Sequence, residues 1–295
     1  MNVNLAAIPG FMAGHARVLD RRRYDLFMGE GSAQGVLAAL DGYRNPDGGY
    51  GWGLEPDLRT PESQPGAALH AFEAFAEVAP VTSPHAAALC DWLEEMTLPD
   101  GGLPFALPVR VPAATATWWA SGDPGTSSLQ ITAVSAAVAH RVAAHDPAVA
   151  GHAWLERATR YCLDTIQNLE GMPHAYVLSF ALHFLDSVYD TQPRAADLLK
   201  RLGAYIPEDG RVPVEGGTEN ESLRPLDFAP LPGRPVRELF EPDVIAADLV
   251  RLAGEQQDDG GWTVDYARFS PAGSLEWRGA VTVGAVRILR ENGLL

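Results

Sequence analysis

Apolar residues recur at three- and four-residue steps along most of this chain, and strand-like alternation is scarce. In TSSLQITAVSAAVAHRV, Leu129, Ala133, Val134, Ala137, Val138 and Val142 form one stripe at helical spacing. Trp277, Val281, Ala285, Val286 and Leu289 do the same in SLEWRGAVTVGAVRIL. Further helix-like runs occupy 31–43, 83–96, 151–167, 195–205 and 243–257, and their abundant alanine favours closely packed helices. Thr60-Pro61, Ser83-Pro84 and Ser270-Pro271 read as a capping residue followed by proline in the first helical turn.

A short phrase punctuates these runs. Asp-Gly-Gly before an aromatic-bearing segment occurs as PDGGYGW (46–52), PDGGLPF (99–105) and DDGGW (258–262). EDGRVP around Asp209 and NLEGMPH (168–174) are degraded copies. Asp47 and Asp100 lie 53 positions apart, and Asp209 and Asp259 lie 50 apart, which is the length of one helix pair with its loops. Glycine past a helix permits the left-handed residue that closes it, and the preceding aspartate can hold the turn by accepting from the backbone ahead. The phrase is therefore first a helix-ending corner. The aromatics behind it, Trp52, Phe105 and Trp262, can pack one helix pair onto the next.

Composition narrows the function. The 295 residues are 46% hydrophobic and 20% charged, ordinary globular usage, with a formal net charge of −16. Lys200 is the only lysine and 21–23 the only basic run, so the basic face that nucleic acid demands is missing. Cys90 and Cys162 sit in apolar helical contexts and define neither a disulfide framework nor a metal pair. The N-terminus lacks the features of a secretory signal, and no apolar run is long enough to span a membrane, so a cytoplasmic protein without a transmembrane segment is expected.

QQDDGGW followed by a helix, with PDGGYGWG and PDGGLPF, resembles the repeat of the prenyltransferase and squalene-hopene cyclase (terpenoid cyclase) superfamily. The resemblance runs from about Gly31 to Leu289. It implies an all-α fold: a single α/α toroid of concentric inner and outer helices, about five to six helix pairs. Residues 1–29 would then be an N-terminal extension, and the proline-rich stretch 208–241 a long loop covering the cavity mouth. The family's D-x-D-D proton-donor motif is absent, and neither cysteine follows a glycine phrase as the zinc site of protein prenyltransferases requires. The resemblance thus carries over the fold and not catalytic residues. No metal site is expected, and no cofactor is required, though magnesium stays open if the substrate is a diphosphate.

In such a toroid the loops that lead into inner helices would ring the cavity mouth, and here they are rich in polar and aromatic side chains. Glu55 and Asp57 alternate across a proline, and paired carboxylates can raise one pKa and make a general acid. Glu276 opens the last inner helix beside Trp277 and Arg278, and Asp227 with Phe228 sits in the covering loop where both are expected to face inward. These four acids are the candidate catalytic residues; Trp52, Arg59, Gln64, Trp119, His174, Phe228, Trp277 and Arg278 are the candidate substrate-binding residues. The alternative for Glu55, Asp57 and Arg59 is a salt-bridged loop, for Glu276 a favourable acid in a helix's first turn, and for His174 a packed histidine.

The leading expectation is an aromatic-lined cavity for an isoprenoid or other apolar small molecule, with acid-initiated cyclisation or isomerisation if it is catalytic. Trp and Phe faces suit polyenes and carbocations, but they suit sugars too. A carbohydrate-active α/α-toroid lyase or hydrolase and a non-catalytic binding module are the alternatives.

Overall fold

The computed structural model describes residues 3–110, 112, 115–266 and 268–295. Among them the chain is predominantly helical. Its first half holds α1 (Ile8–His15), α2 (Val18–Met28), α3 (Ala33–Leu40), α4 (Pro65–Glu77), α5 (Pro84–Met96), the single turn α6 (Thr117–Ala120) and α7 (Leu129–Ala143). Its second half holds the short α8 (Pro147–Ala150), α9 (Ala153–Gln167), α10 (Ala175–Ser187), α11 (Ala195–Gly203), the short α12 (Pro225–Phe228), α13 (Pro242–Gly254) and α14 (Pro271–Glu291). Two two-residue strands, β1 (Val212–Pro213) and β2 (Ser222–Leu223), pair antiparallel with Val212 opposite Leu223. No helix among the described residues is long and apolar enough to cross a membrane.

The three glycine phrases fold alike. In each, the aspartate carboxylate accepts from the amide of the second glycine, at 3.0 Å for Asp47–Gly49 and 3.1 Å for both Asp100–Gly102 and Asp259–Gly261. The first glycine takes φ of 91°, 96° and 94° (Gly48, Gly101, Gly260), which a side chain would strain. The second has no room: a Cβ would meet Ser63, Ser127 or Phe11 at 2.6, 2.6 and 2.7 Å. Each aspartate also reaches toward the following long helix, accepting from Ser63 at 2.8 Å, Ser127 at 2.6 Å and Arg278 at 2.7 Å. The next amide completes the joint twice, Leu103 donating to Thr132 of α7 and Trp262 to Thr282 of α14. The corner therefore ends one helix and anchors the start of another.

Caps follow the sequence at two of the three proposed places. Ser83 accepts from His85 and Ser270 from Gly273, each with proline in the first turn. Thr60-Pro61 is different: α4 starts at Pro65, after Gln64. Trp52 donates to the Thr60 carbonyl at 2.7 Å, which holds that stretch as a closed loop rather than a helix start.

Helix α7 packs against α4, α9 and α10, and α14 against α1, α2 and α13. The N-terminal residues are part of this packing. Ile8, Phe11 and Met12 of α1 and Tyr24 of α2 join Trp262, Val283, Val286 and Leu289 in a buried cluster. Both cysteines are free and buried, small apolar fillers of the larger core.

Candidate functional site

A cavity of about 1040 Å³ is lined by residues of α2, α4, α7, α10 and α14, and by the connections that precede them. One group of residues gathers where those connections meet the helix starts. Leu54 and Leu58, each at most 1% exposed, anchor the loop after Gly53, and Arg17 donates to the Leu54 carbonyl at 2.9 Å. With the apolar side chains turned into the core, Glu55 and Asp57 are left in the cavity wall, each 4% exposed. The Asp57 amide donates to Glu55 Oε1 at 3.0 Å, so one carboxylate fixes the backbone of the other.

Asp57 Oδ2 accepts from the Trp277 indole N–H at 2.7 Å. Burial pushes its carboxyl up to about 6, against the lowering effect of that bond and with help from the charges of Glu55 and Glu276. Glu55 Oε2 meets His70 Nε2 at 2.9 Å, and His70 Nδ1 meets Glu73 at 2.9 Å. Burial alone would depress the imidazolium, but Glu73 and Glu55 outweigh it and raise His70 to about 9. Glu73 is held down at about 2: His70, Arg23 and Arg141 overcome its desolvation. His70 is therefore a cation at neutral pH, and Asp57 passes through its titration at about pH 6, just below neutrality.

Aromatic rings frame this acid. Phe105 and Trp119 stack at 4.5 Å between centroids, and Tyr266 meets Trp277 edge-on at 5.5 Å. His70 meets the same tryptophan edge-on at 5.8 Å. All five lie in the cavity wall with Trp118, which remains 39% exposed.

The stretch 208–241 lies against this wall as a short hairpin, β1 and β2, followed by α12. The Tyr176 hydroxyl donates to Glu221 at 2.9 Å, and Glu221 accepts from the Thr218 amide at 2.8 Å. His174 Nδ1 caps α10 by accepting from the Tyr176 amide, and its Nε2 lies 3.0 Å from the Glu215 carbonyl. His174 and Phe228 line the cavity.

Other candidates from the sequence are engaged elsewhere. Asp227 does not line the cavity: its carboxylate accepts from the Arg224 amide at 2.7 Å and holds the first turn of α12. Trp52 is 59% exposed, with φ of 57°, its indole donating to Asn45, because the corner turns it outward. Gln64 clamps the Leu107 backbone through both its amide atoms. Arg278 forks onto Asp259 of the glycine corner and stacks over Phe11, 4.6 Å from the ring centre. Arg59 and Glu276 pair with each other beside Asp57 and are not in the wall. Glu55, Asp57, Trp119, His174, Phe228 and Trp277 are thus brought together at one cavity.

The sequence pattern passed over the charged residues at the other end of the cavity. Arg23, Glu73, Glu77, Arg141 and Arg287 all line it. A signal existed for one of them: Arg141 continues the apolar stripe of Val134, Ala137 and Val138, where a charged residue has no place unless it faces something polar.

No protein-family model matches the chain, and no curated protein matches it. A solved structure described as the crystal structure of a protein from Actinoplanes is similar, with a TM-score of 0.54 at 16% sequence identity. The match covers 92% of this chain and 89% of that one. At that identity the likeness concerns the fold alone.

Proposed function

We propose that the chain is an acid–base enzyme of the terpenoid-cyclase type, with Asp57 protonating a small, largely apolar molecule enclosed by an α/α toroid. In this arrangement α2, α4, α7, α10 and α14 form the inner wall, and α3, α5, α9, α11 and α13 lie outside. The cavity lining and the glycine corners that introduce α4, α7 and α14 support it. The observation that carries the chemistry is Asp57 itself: a carboxyl in an aromatic wall, pushed to about 6, with an indole N–H on one oxygen.

The proton leaves the Asp57 carboxyl for one carbon of an alkene, whose π pair forms the new C–H bond. The positive charge that appears on the neighbouring carbon faces Trp277, Trp119 and Phe105, whose ring faces stabilise cations. A carbon next to that charge then returns a proton to the Asp57 carboxylate, its C–H pair forming the new double bond, which ends an isomerisation; attack by a second alkene before that step gives a ring. The Asp57 carboxylate left behind keeps the Trp277 bond. Glu55 and His70 act as positioning residues, holding the loop from which Asp57 projects.

Incubation with linear isoprenoids of graded length, with products separated by gas chromatography and mass spectrometry, tests the proposal. Turnover is expected with the wild type, higher at pH 6 than at pH 8, and Asp57→Asn is expected to remove it. Oligosaccharides run in parallel decide against the reading if they alone raise the thermal midpoint or are cleaved.

A further inference from the structure

The opposite end of the cavity carries a charge that the proton-donor reading does not use. Trp277 of α14 touches Asp57, and Arg287 lies ten residues further along the same helix, about 15 Å away at 1.5 Å per residue. Arg141 of α7, whose charge is felt at Glu73 and His183, shares that end with Arg287 and Arg23. Between the two ends the wall is apolar: Val134, Ala137 and Val138 on α7, Ala280, Val281 and Gly284 on α14.

The ion pairs at this end can be assigned one by one. Glu77 receives Arg23 in a two-bond fork, both at 2.6 Å, and Arg287 stands 4.0 Å from it. Asp20 lies between Arg17 and Arg23. Glu55 and Glu73 hold the His70 imidazolium. Asp186 is matched by Arg234 at 2.8 Å.

Arg141 is the group left over. Its guanidinium takes part in no hydrogen bond or ion pair among the described residues, whereas Arg23 and Arg287 share Glu77. Protein encloses it so far that desolvation, with the charge of Arg287, lowers its pKa, yet more than a third of its surface stays accessible. Arg141 is one of the residues that line the cavity. His140 and His183 line the same end, but burial pushes both down to about 4, so they are neutral at pH 7 and do not supply the charge.

We propose that Arg141 forms a carboxylate subsite, so that the cavity takes an apolar chain ending in a single carboxylate, its far end beside Asp57. A planar guanidinium with free N–H groups matches the two oxygens of a carboxylate. Arg23 and Arg287 are already engaged by Glu77, so the site offers one guanidinium rather than the cluster of cations that a phosphate ester or diphosphate calls for. The ~15 Å of α14 between Trp277 and Arg287 matches a chain of about a dozen carbons, with bonds of about 1.5 Å folded at tetrahedral angles. The proposal rests on the apolar-cavity reading and specifies its substrate class.

Titration calorimetry with dodecanoate, dodecanol and dodecyl phosphate, below their aggregation limits, tests it. Dodecanoate is expected to bind at least tenfold more tightly than either of the others. Arg141→Met should erase that preference while leaving dodecanol affinity in place, and Arg141→Lys should keep part of it. The Met variant should melt no earlier than the wild type, because no hydrogen bond or ion pair among the described residues is lost. Equal affinity for acid and alcohol, tighter binding of the phosphate, or an acid preference that survives Arg141→Met overturns the carboxylate subsite and leaves the cavity reading standing. Failure of all three chains to bind overturns both.

Discussion

Asp57 and His70 lie in one wall and are tuned in opposite ways. The Asp57 carboxyl is raised from 3.8 to about 6, so the fold favours its protonated form. That preference stabilises the protein fully below about pH 4 and is lost as pH rises through 6, a loss of about 3 kcal/mol. Asp57→Asn keeps an acceptor for Trp277 without the charge. The variant is expected to melt several degrees above the wild type at pH 8 and level with it near pH 4, while losing turnover. Calorimetric scans at the two pH values check this. His70 is raised from 6.5 to about 9 by Glu73 and Glu55, so its contribution is present below 6.5 and lost as pH climbs through 9. His70→Gln should flatten the stability–pH curve across that window, a change of up to about 3 kcal/mol; an unchanged slope in urea titrations at pH 6.5 and 9.5 would sink the assignment. Neighbouring residues show how little sequence proximity says about direction. Trp277 faces the cavity and Arg278, one position on, reaches back to Asp259, since successive helix residues point about 100° apart.

Among the elements, the glycine corner is the unit that repeats. Its two glycines have different duties: the first supplies a positive φ, the second lets Ser127 or Ser63 come close. Gly102→Ala therefore forces a steric clash and Gly101→Ala a backbone strain, and each is expected to cost about 2 kcal/mol or more in chemical denaturation. Gly42, with nothing within 4 Å of an added Cβ, should tolerate alanine at little cost. The helices themselves were legible from apolar spacing, because a stripe at three- and four-residue steps has only one regular way to be buried. The start of α4 was not: Thr60-Pro61 carries the local signature of a cap, and a tertiary bond from Trp52 to Thr60 overrides it.

For the whole molecule, what matters is that the cavity wall is tied together by paired charges and that the stretch 208–241 lies against it. The stretch 208–241 is fastened to α10 through Tyr176–Glu221 and His174–Glu215. Tyr176→Phe removes the first tie and leaves the buried Glu221 short of a donor, at about 1–2 kcal/mol. Hydrogen exchange at 212–223 should then quicken while α7 and α9 keep their protection. Equal loss of protection in all three would mean that this stretch is a structural strut and not a cover. The N-terminal segment belongs to the same wall, since its Arg17 and Arg23 line the cavity and Arg23 neutralises Glu77. Removing residues 3–28 should accordingly abolish the cooperative melt, because Trp262, Val283 and Leu289 lose their cover.

By itself the sequence determined most of the helices after residue 30 and their glycine corners, though not α1 and α2, and it marked the loop where two acids alternate across a proline. Those are matters of local spacing and backbone stereochemistry, which neighbours in sequence settle between them. Only the tertiary structure decided which acid meets an indole, which histidine becomes a cation and which arginine has no partner among the described residues. Such outcomes depend on burial and on charges brought together across 217 to 220 positions of chain, as in Arg59–Glu276 and Asp57–Trp277, and no local pattern records them.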